Sequence, residues 1–408
     1  MMFEDDWEVY ILIYEYVILM SDIRRRKMER YKGSYLSYML MYLFFFLSLA
    51  LFSGLISVYL LDKGYDASQV SFVVSCSFVA SVILQPLIGK LNDCYSLKWV
   101  NGIVLFCSAI LGILFIKANH IYSISILYSL ALGLFNATKP AIERIATLSR
   151  HQYGRIRIWG TIGYAIGSQI SGIIYEYIAP SAMYLFYSIG LVFCIIGMIG
   201  VQNQCLSQKK KTTYPKQKLW NKRFIVYIII VCLFYGITNL NTTYLPAMFQ
   251  ARGISIDKVS TIILLITLSE LPFVYYAHRY MNKISNHTML IFIFALLIIQ
   301  FGTYSFIPYS FIQIIVAVCT KAVSTVIFIM LNMKIIASIV NENMQMSALA
   351  WVSTFNSFAS IIVQQIGGTI IDRTSFTVLY MILFICALFG FVVCFLYKLP
   401  SGKEYQLF

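Results

Sequence analysis

The nine residues "KGYDASQVS", Lys63 to Ser71, return as "RGISIDKVS" at Arg252 to Ser260, with Gly, Val and Ser in register. The same offset carries "GKLNDCYSLKW" (Gly89 to Trp99) onto "HRYMNKISNHT" (His278 to Thr288), pairing Lys90 with Arg279, Asp93 with Asn282 and Ser96 with Ser285. A slightly larger offset lays "SQISGIIYE" (Ser168 to Glu176) on "QQIGGTIID" (Gln364 to Asp372) and Tyr184 on Tyr380. Matches in the same order at nearly constant spacing mean that one structural plan is written twice.

The composition says what the plan is made of. Of the 408 residues 60% are hydrophobic and 12% charged, against about 25% charged in a soluble domain. Apolar runs of about 20 residues, each able to cross a hydrocarbon core of roughly 30 Å, recur along the chain. Lipid offers backbone groups no partner, so the spans are helices or a closed barrel. The alternating ten-residue strands of a barrel are absent. The reading is an all-α membrane protein of twelve transmembrane helices in two parallel six-helix repeats. Its divisions are a cytoplasmic N-terminal extension at 1–34, a first bundle at 35–202, a basic linker at 203–222, a second bundle at 223–398 and a tail at 399–408.

The extension holds an acidic start and a short apolar run broken by Glu15. It is either a genuine extension or an over-called start preceding Met20 or Met28, and recovery of a native peptide containing Asp5 selects the former.

The net charge of +14 suggests nucleic acid until the charges are located. On one side stand only Lys63, Lys117, Arg252, Lys258 and Arg373, and Lys321 lies within a span. Every other Lys and Arg falls on the opposite side, which puts both termini in the cytoplasm of a multi-pass protein of the cytoplasmic membrane. No nucleic-acid partner is expected. The nine cysteines form no CxxC pair and read as small hydrophobes, with no metal and no cofactor. No HExxH or GxSxG motif is present, so the chain reads as no enzyme.

Polar residues inside spans are costly and mark function. Arg157, Thr161, Tyr164, Ser168 and Ser171 recur at helical spacing and form one stripe, expected to face a water-filled cavity. Gly163 and Gly167 mark close approach of another helix on a different face. Further stripes run through Asn136, Lys139 and Glu143, through Tyr235, Asn239 and Thr242, and through Ser353, Asn356, Ser360 and Gln364. Each stripe is either a binding surface or interhelical glue. Arg155 reads as an interface anchor, and Arg157 as a binding group or a second anchor. Glu270 in "LSELPF" and Lys321 in "VCTKAV" each need a partner, and the simplest expectation is that they pair, as a protonation switch or as a fixed ion pair.

Parallel repeats place a substrate site near the midplane between them. The loop Gly89, Lys90, Asp93 resembles the signature loop of the major facilitator superfamily, although Asn92, Cys94, Tyr95 and Ser96 depart from it. The resemblance covers residues 35 to 398 and implies that Asp93 latches the cytoplasmic side in one conformation. "KPAIERIATLSRHQYGRIRIWGTIGYAIG" (Lys139 to Gly167) narrows it to the lactose permease, nucleoside and phenylpropionate proton symporters. There a carboxylate, an arginine and an aromatic hold the substrate, implying these roles for Glu143, Arg157 and Tyr164. Asn136, Lys139, Asn239 and Asn356 complete the expected substrate site, and Glu270 with Lys321 the proton-coupling site. Ser324 stands where lactose permease has its proton-carrying glutamate, so that mechanism does not transfer directly. The function implied is secondary active transport by alternating access, as proton-coupled symport of a sugar or nucleoside by a monomer in the bilayer. The alternatives are an aromatic-acid or other organic-anion carrier, a facilitator, an exporter, or a receptor that binds without translocating.

Overall fold

The computed structural model describes residues 33–202, 221–281, 283–340, 344–397 and 400. The extension up to 32, the linker at 203–220 and the tail from 401 lie outside the described residues.

Twelve long helices follow one another: α1 Tyr35–Asp62, α2 Ala67–Cys94, α3 Leu97–Ile116, α4 Ile121–Thr147, α5 Tyr153–Tyr177 and α6 Ala182–Gly200, then α7 Lys222–Ala251, α8 Ile256–Tyr275, α9 Asn286–Phe306, α10 Ser310–Ile339, α11 Gln345–Arg373 and α12 Phe376–Leu396. Ten are long and apolar enough to cross a membrane. The two that are not, α5 and α11, occupy equivalent places in the two repeats and carry polar stripes. They escape the cost of facing lipid by packing against the opposite bundle: α5 on α8, and α11 on α2.

Within the first bundle α1 packs on α5 and α6, α2 on α4, and α3 on α4 and α6. The second bundle repeats each of these pairings six helices later. The repetition extends to single rings. Phe45 of α1 stacks on Phe135 of α4 with centroids 4.2 Å apart, and Phe234 of α7 stacks on Phe328 of α10 at 3.7 Å. Tyr184 meets Phe115 edge-on at 4.6 Å, as Tyr380 meets Tyr304 at 5.0 Å. Both tyrosines are fully buried. Such pairs add about 0.5–1.5 kcal/mol each beyond their buried area.

The opening motif builds the same corner twice. Gly64 and Gly253 hold positive φ values of 87° and 81° in the turns entering α2 and α8, a conformation that a side chain resists. On α5, Gly163 and Gly167 lie so close to the α1 backbone that a Cβ on either would collide with the carbonyl oxygen of Leu43 or Leu47.

The quoted repeats also touch one another. Gly368 of α11 leaves room for Ser71 of α2, and Gly172 of α5 leaves room for Ser260 of α8. Each motif of one bundle therefore seats a motif of the other. Around this seam the Tyr244 hydroxyl lies 2.7 Å from Ser71 Oγ and donates to the Ala67 carbonyl at 2.6 Å. Ser57 Oγ donates to the Thr243 carbonyl, and Gln250 Nε2 to Asp62 at 3.0 Å. The Asp372 carboxylate accepts from the backbone N–H groups of Ala67 and Ser68 at 2.7 and 2.8 Å. It caps the first turn of α2 from the opposite bundle, where the helix dipole favours an anion. Between described residues, every hydrogen bond joining the bundles lies in the half of the molecule away from the termini. The seam is closed there.

One expectation changes. Ser168 and Ser171 are not set facing water among the described residues: both are buried in the closed half, where their hydroxyls donate to the carbonyls of Tyr164 and Ser168 in their own helix. Lys334, near the C-terminal end of α10, is fully buried and donates to the carbonyls of Met281 and Ile284.

Gly368→Leu is expected to force the seam apart, at the cost of about 1–3 kcal/mol typical of overpacking. Spin labels at Lys117 and Arg373, one on each bundle, should then report a longer distance than in the wild type, and an unchanged distribution would refute this account of the seam.

Candidate functional site

Inward of the closed seam lies a cavity of about 200 Å³ lined from both bundles. Asn136 on α4, Tyr164 on α5, Asn239 and Thr242 on α7, and Lys321 on α10 reach it, with Tyr128 forming part of its apolar wall. A second chamber of about 390 Å³ runs between α5, α8 and α10 toward the termini, lined by Tyr153, Arg157, Thr161 and Glu270 with an apolar wall that includes Met330. The two volumes fall around the lower end of the range for small-molecule sites.

Arg157 is set on the second turn of α5, where Gly160 one turn on leaves space for its guanidinium. The guanidinium lies over the Phe46 ring of α1, 5.1 Å from its centroid, and Nε is 3.9 Å from Glu143 Oε1 on α4. Glu143 Oε2 accepts from the hydroxyls of Tyr42 at 2.8 Å and Tyr153 at 2.5 Å. The ion-paired side chains are 38% and 30% exposed, so the pair contributes little to stability. Water reaches it, its partners hold it in place, and its remaining donors are available to a ligand. The sequence shows Glu143 and Arg157 but hides Tyr42, Phe46 and Tyr153, which sit among many other aromatics.

The coupling residues are arranged differently from the simplest expectation. α8 breaks at Ser269, whose Oγ lies 2.7 Å from the Ile266 carbonyl and 2.9 Å from the Val318 carbonyl of α10. The break sets Glu270 at the start of a short segment, Glu270–Tyr275, facing the second chamber. Glu270 feels both Arg157 of the other bundle and Lys321 of α10. Among the described residues no Glu270–Lys321 ion pair forms within 4.0 Å. Lys321 instead lines the first cavity, so the two groups stand at adjoining chambers.

Asn239 and Asn356 bind each other first. Asn239 Nδ2 donates to Asn356 Oδ1 at 3.0 Å and to Ser360 Oγ at 2.6 Å, while Gln364 Nε2 donates to Thr243 Oγ1 at 2.6 Å. The stripes of α7 and α11 thus join those helices, and Asn239 alone of the two asparagines lines the cavity. Asn136 Nδ2 donates to Ser81 Oγ at 3.2 Å. Lys139 stands between Asn136 and Glu143 on α4 with its side chain exposed. Gly89, Lys90 and Asp93 lie apart from all of these, at the end of α2. Asp93 is exposed, and it has no hydrogen bond or ion pair among the described residues. Beside it, Asn101 Nδ2 donates to Asn92 Oδ1 at 2.8 Å.

A family model described as "MFS_1 like family" matches residues 35–382. The uncharacterized transporter YwbF of Bacillus subtilis is 24% identical over 89% of this chain and 93% of its own length. The maltose permease of Geobacillus stearothermophilus is 22% identical over 87% and 92%. Among solved structures, the nucleoside transporter NupG superposes with a TM-score of 0.77 at 16% identity, covering 89% of this chain and 99% of that one. At that identity the likeness is one of fold.

Removing a hydroxyl from the buried side of the Glu143 carboxylate should be felt more than removing one from the open side. Tyr42→Phe is expected to cost about 1.5–3 kcal/mol, the range for a hydrogen bond to a charged group. Tyr153→Phe, at an exposed position, should cost less, as read by thermal unfolding in detergent.

Proposed function

We propose, for a chain that belongs to the MFS_1 like family and is therefore a multi-pass membrane transporter of a small solute rather than an enzyme, that it is a proton-coupled symporter of a sugar-like or nucleoside-like compound. It works as a monomer in the cytoplasmic membrane with both termini in the cytoplasm, its bundles at 35–202 and 223–398 rocking about the central cavity. What carries the reading is the arrangement of Glu270. An acid at a helix break, within the field of a cation from each bundle, is suited to exchange a proton in step with the movement of those bundles.

In this reading the closed seam is the outer gate and the chamber at Arg157 is the path toward the cytoplasm. Arg157 and Glu143 hold hydroxyls of the solute, since a guanidinium fork and a carboxylate supply complementary donors and acceptors. Tyr164 lays its ring on an apolar ring face. Asn136, Lys139 and Asn239 complete the polar contacts, and Asn356 orients Asn239. When the bundles rock, the Asp372 clasp releases α2 and the cytoplasmic side closes, with Gly89, Lys90 and Asp93 forming the inner gate. A solute bound midway is then exposed to each side in turn. Glu270 gains a proton when the outer side is open and gives it up toward the cytoplasm, with Lys321 and Arg157 stabilising the carboxylate left behind.

The test is Glu270→Gln in proteoliposomes with a panel of sugars and nucleosides. Exchange of internal for external solute should persist, while accumulation driven by a pH gradient should be lost. Concentrative, pH-driven uptake by the variant would overturn the coupling role. Absence of exchange in the wild type with every member of the panel would overturn the transport of these solutes.

A further inference from the structure

Lys321 lines the first chamber and Arg157 and Glu270 the second, and beside them on α4 stand the cation Lys139 and the acid Glu143. The geometry identifies the unmatched charge. Glu143 is committed to Arg157 and to the hydroxyls of Tyr42 and Tyr153. Glu270 lies in the field of Arg157 and Lys321. Lys139 lies in the field of Glu143 and Arg157. Among the described residues its ammonium has neither a hydrogen bond nor an ion pair within 4.0 Å.

Its position puts this spare charge between residues of the two chambers. Lys139 stands one turn from Asn136, which lines the first cavity, and one turn from Glu143, which holds Arg157 at the second. Its neighbours Ala137 and Thr138 are buried, whereas Lys139 is exposed. With water in the open chamber the ammonium is solvated. When the bundles close on a solute, that water must leave, and a neutral ligand leaves a desolvated cation without an anion. A ligand bearing one negative charge removes the penalty, and the same arrangement discriminates against its neutral analogue.

We propose that the transported solute is a hydroxylated acid, a sugar-like ring carrying one carboxylate, and that Lys139 receives that carboxylate. The inference rests on the transport reading above and narrows its substrate class. Arg157, Glu143 and Tyr164 engage the ring, while Lys139 selects the charge.

The probes are acid and neutral partners that differ only at one ring substituent: D-glucuronate with D-glucose, and D-galacturonate with D-galactose. Counterflow is measured in proteoliposomes with wild-type protein, Lys139→Met and Lys139→Arg. In at least one pair the wild type should exchange the acid about tenfold better than the neutral sugar, equivalent to about 1.4 kcal/mol. Lys139→Arg should keep the preference and Lys139→Met should lose it. A neutral sugar exchanged as well as its acid partner, or a preference that survives in Lys139→Met, would overturn the inference while leaving transport intact. Exchange of neither member of either pair would overturn it too, and exchange of neutral sugars or nucleosides in the wider panel would then show whether the transport reading survives.

Discussion

The constraint on which this structure depends is that a polar side chain within a membrane span has to be walled off from lipid. In this chain the burden falls on the same helix of each repeat, α5 and α11, the two whose composition is too polar for an ordinary span. Each packs against the opposite bundle, α5 on α8 and α11 on α2, while the polar stripe of α11 also bonds α7 of its own bundle. The interface between the repeats is consequently where Arg157, Glu270, Asn239 and Lys321 collect, and where water-sized space remains. The site is a consequence of how the repeats hide what they cannot show to lipid.

The two ends of that interface are built from different materials. At the closed end the contacts are small and directional: serine against glycine, tyrosine against a backbone carbonyl, and a carboxylate on a helix N-terminus. Toward the termini, the chamber walls are aromatic and aliphatic around a water-exposed ion pair. The first set holds only while geometry is maintained to within a few tenths of an ångström. The second encloses an open volume of about 390 Å³.

Much of this was legible in the sequence, because hydropathy and internal repetition are properties of the chain. The motifs ending in Ser71, Ser260, Glu176 and Asp372 announce two matched bundles. They give no hint that Ser71 meets Gly368 or that Asp372 caps α2, since pairing across bundles is not encoded in spacing along either one. Glu143 and Arg157 stand out as charges in apolar runs. Tyr42 and Phe46 do not, because in "YMLMYLFFF" (Tyr38 to Phe46) aromatic residues are the background. The α5 stripe misled at Ser168 and Ser171 because a serine can satisfy its hydroxyl on its own helix and therefore needs no water. The burial of Lys334 is not legible either: its long side chain reaches two loop carbonyls, and counting charges by side says nothing of such partners.

The ring stacking described above has a mechanical consequence. Among the described residues, every aromatic contact joins rings of a single bundle and none bridges the two. Each half is stiffened internally by interlocked plates, while the division between halves is held by short polar links at one end and by the packing of α5 on α8 and of α11 on α2. The ring packing thus gives each half a stiffness of its own that no ring contact among the described residues extends across the division.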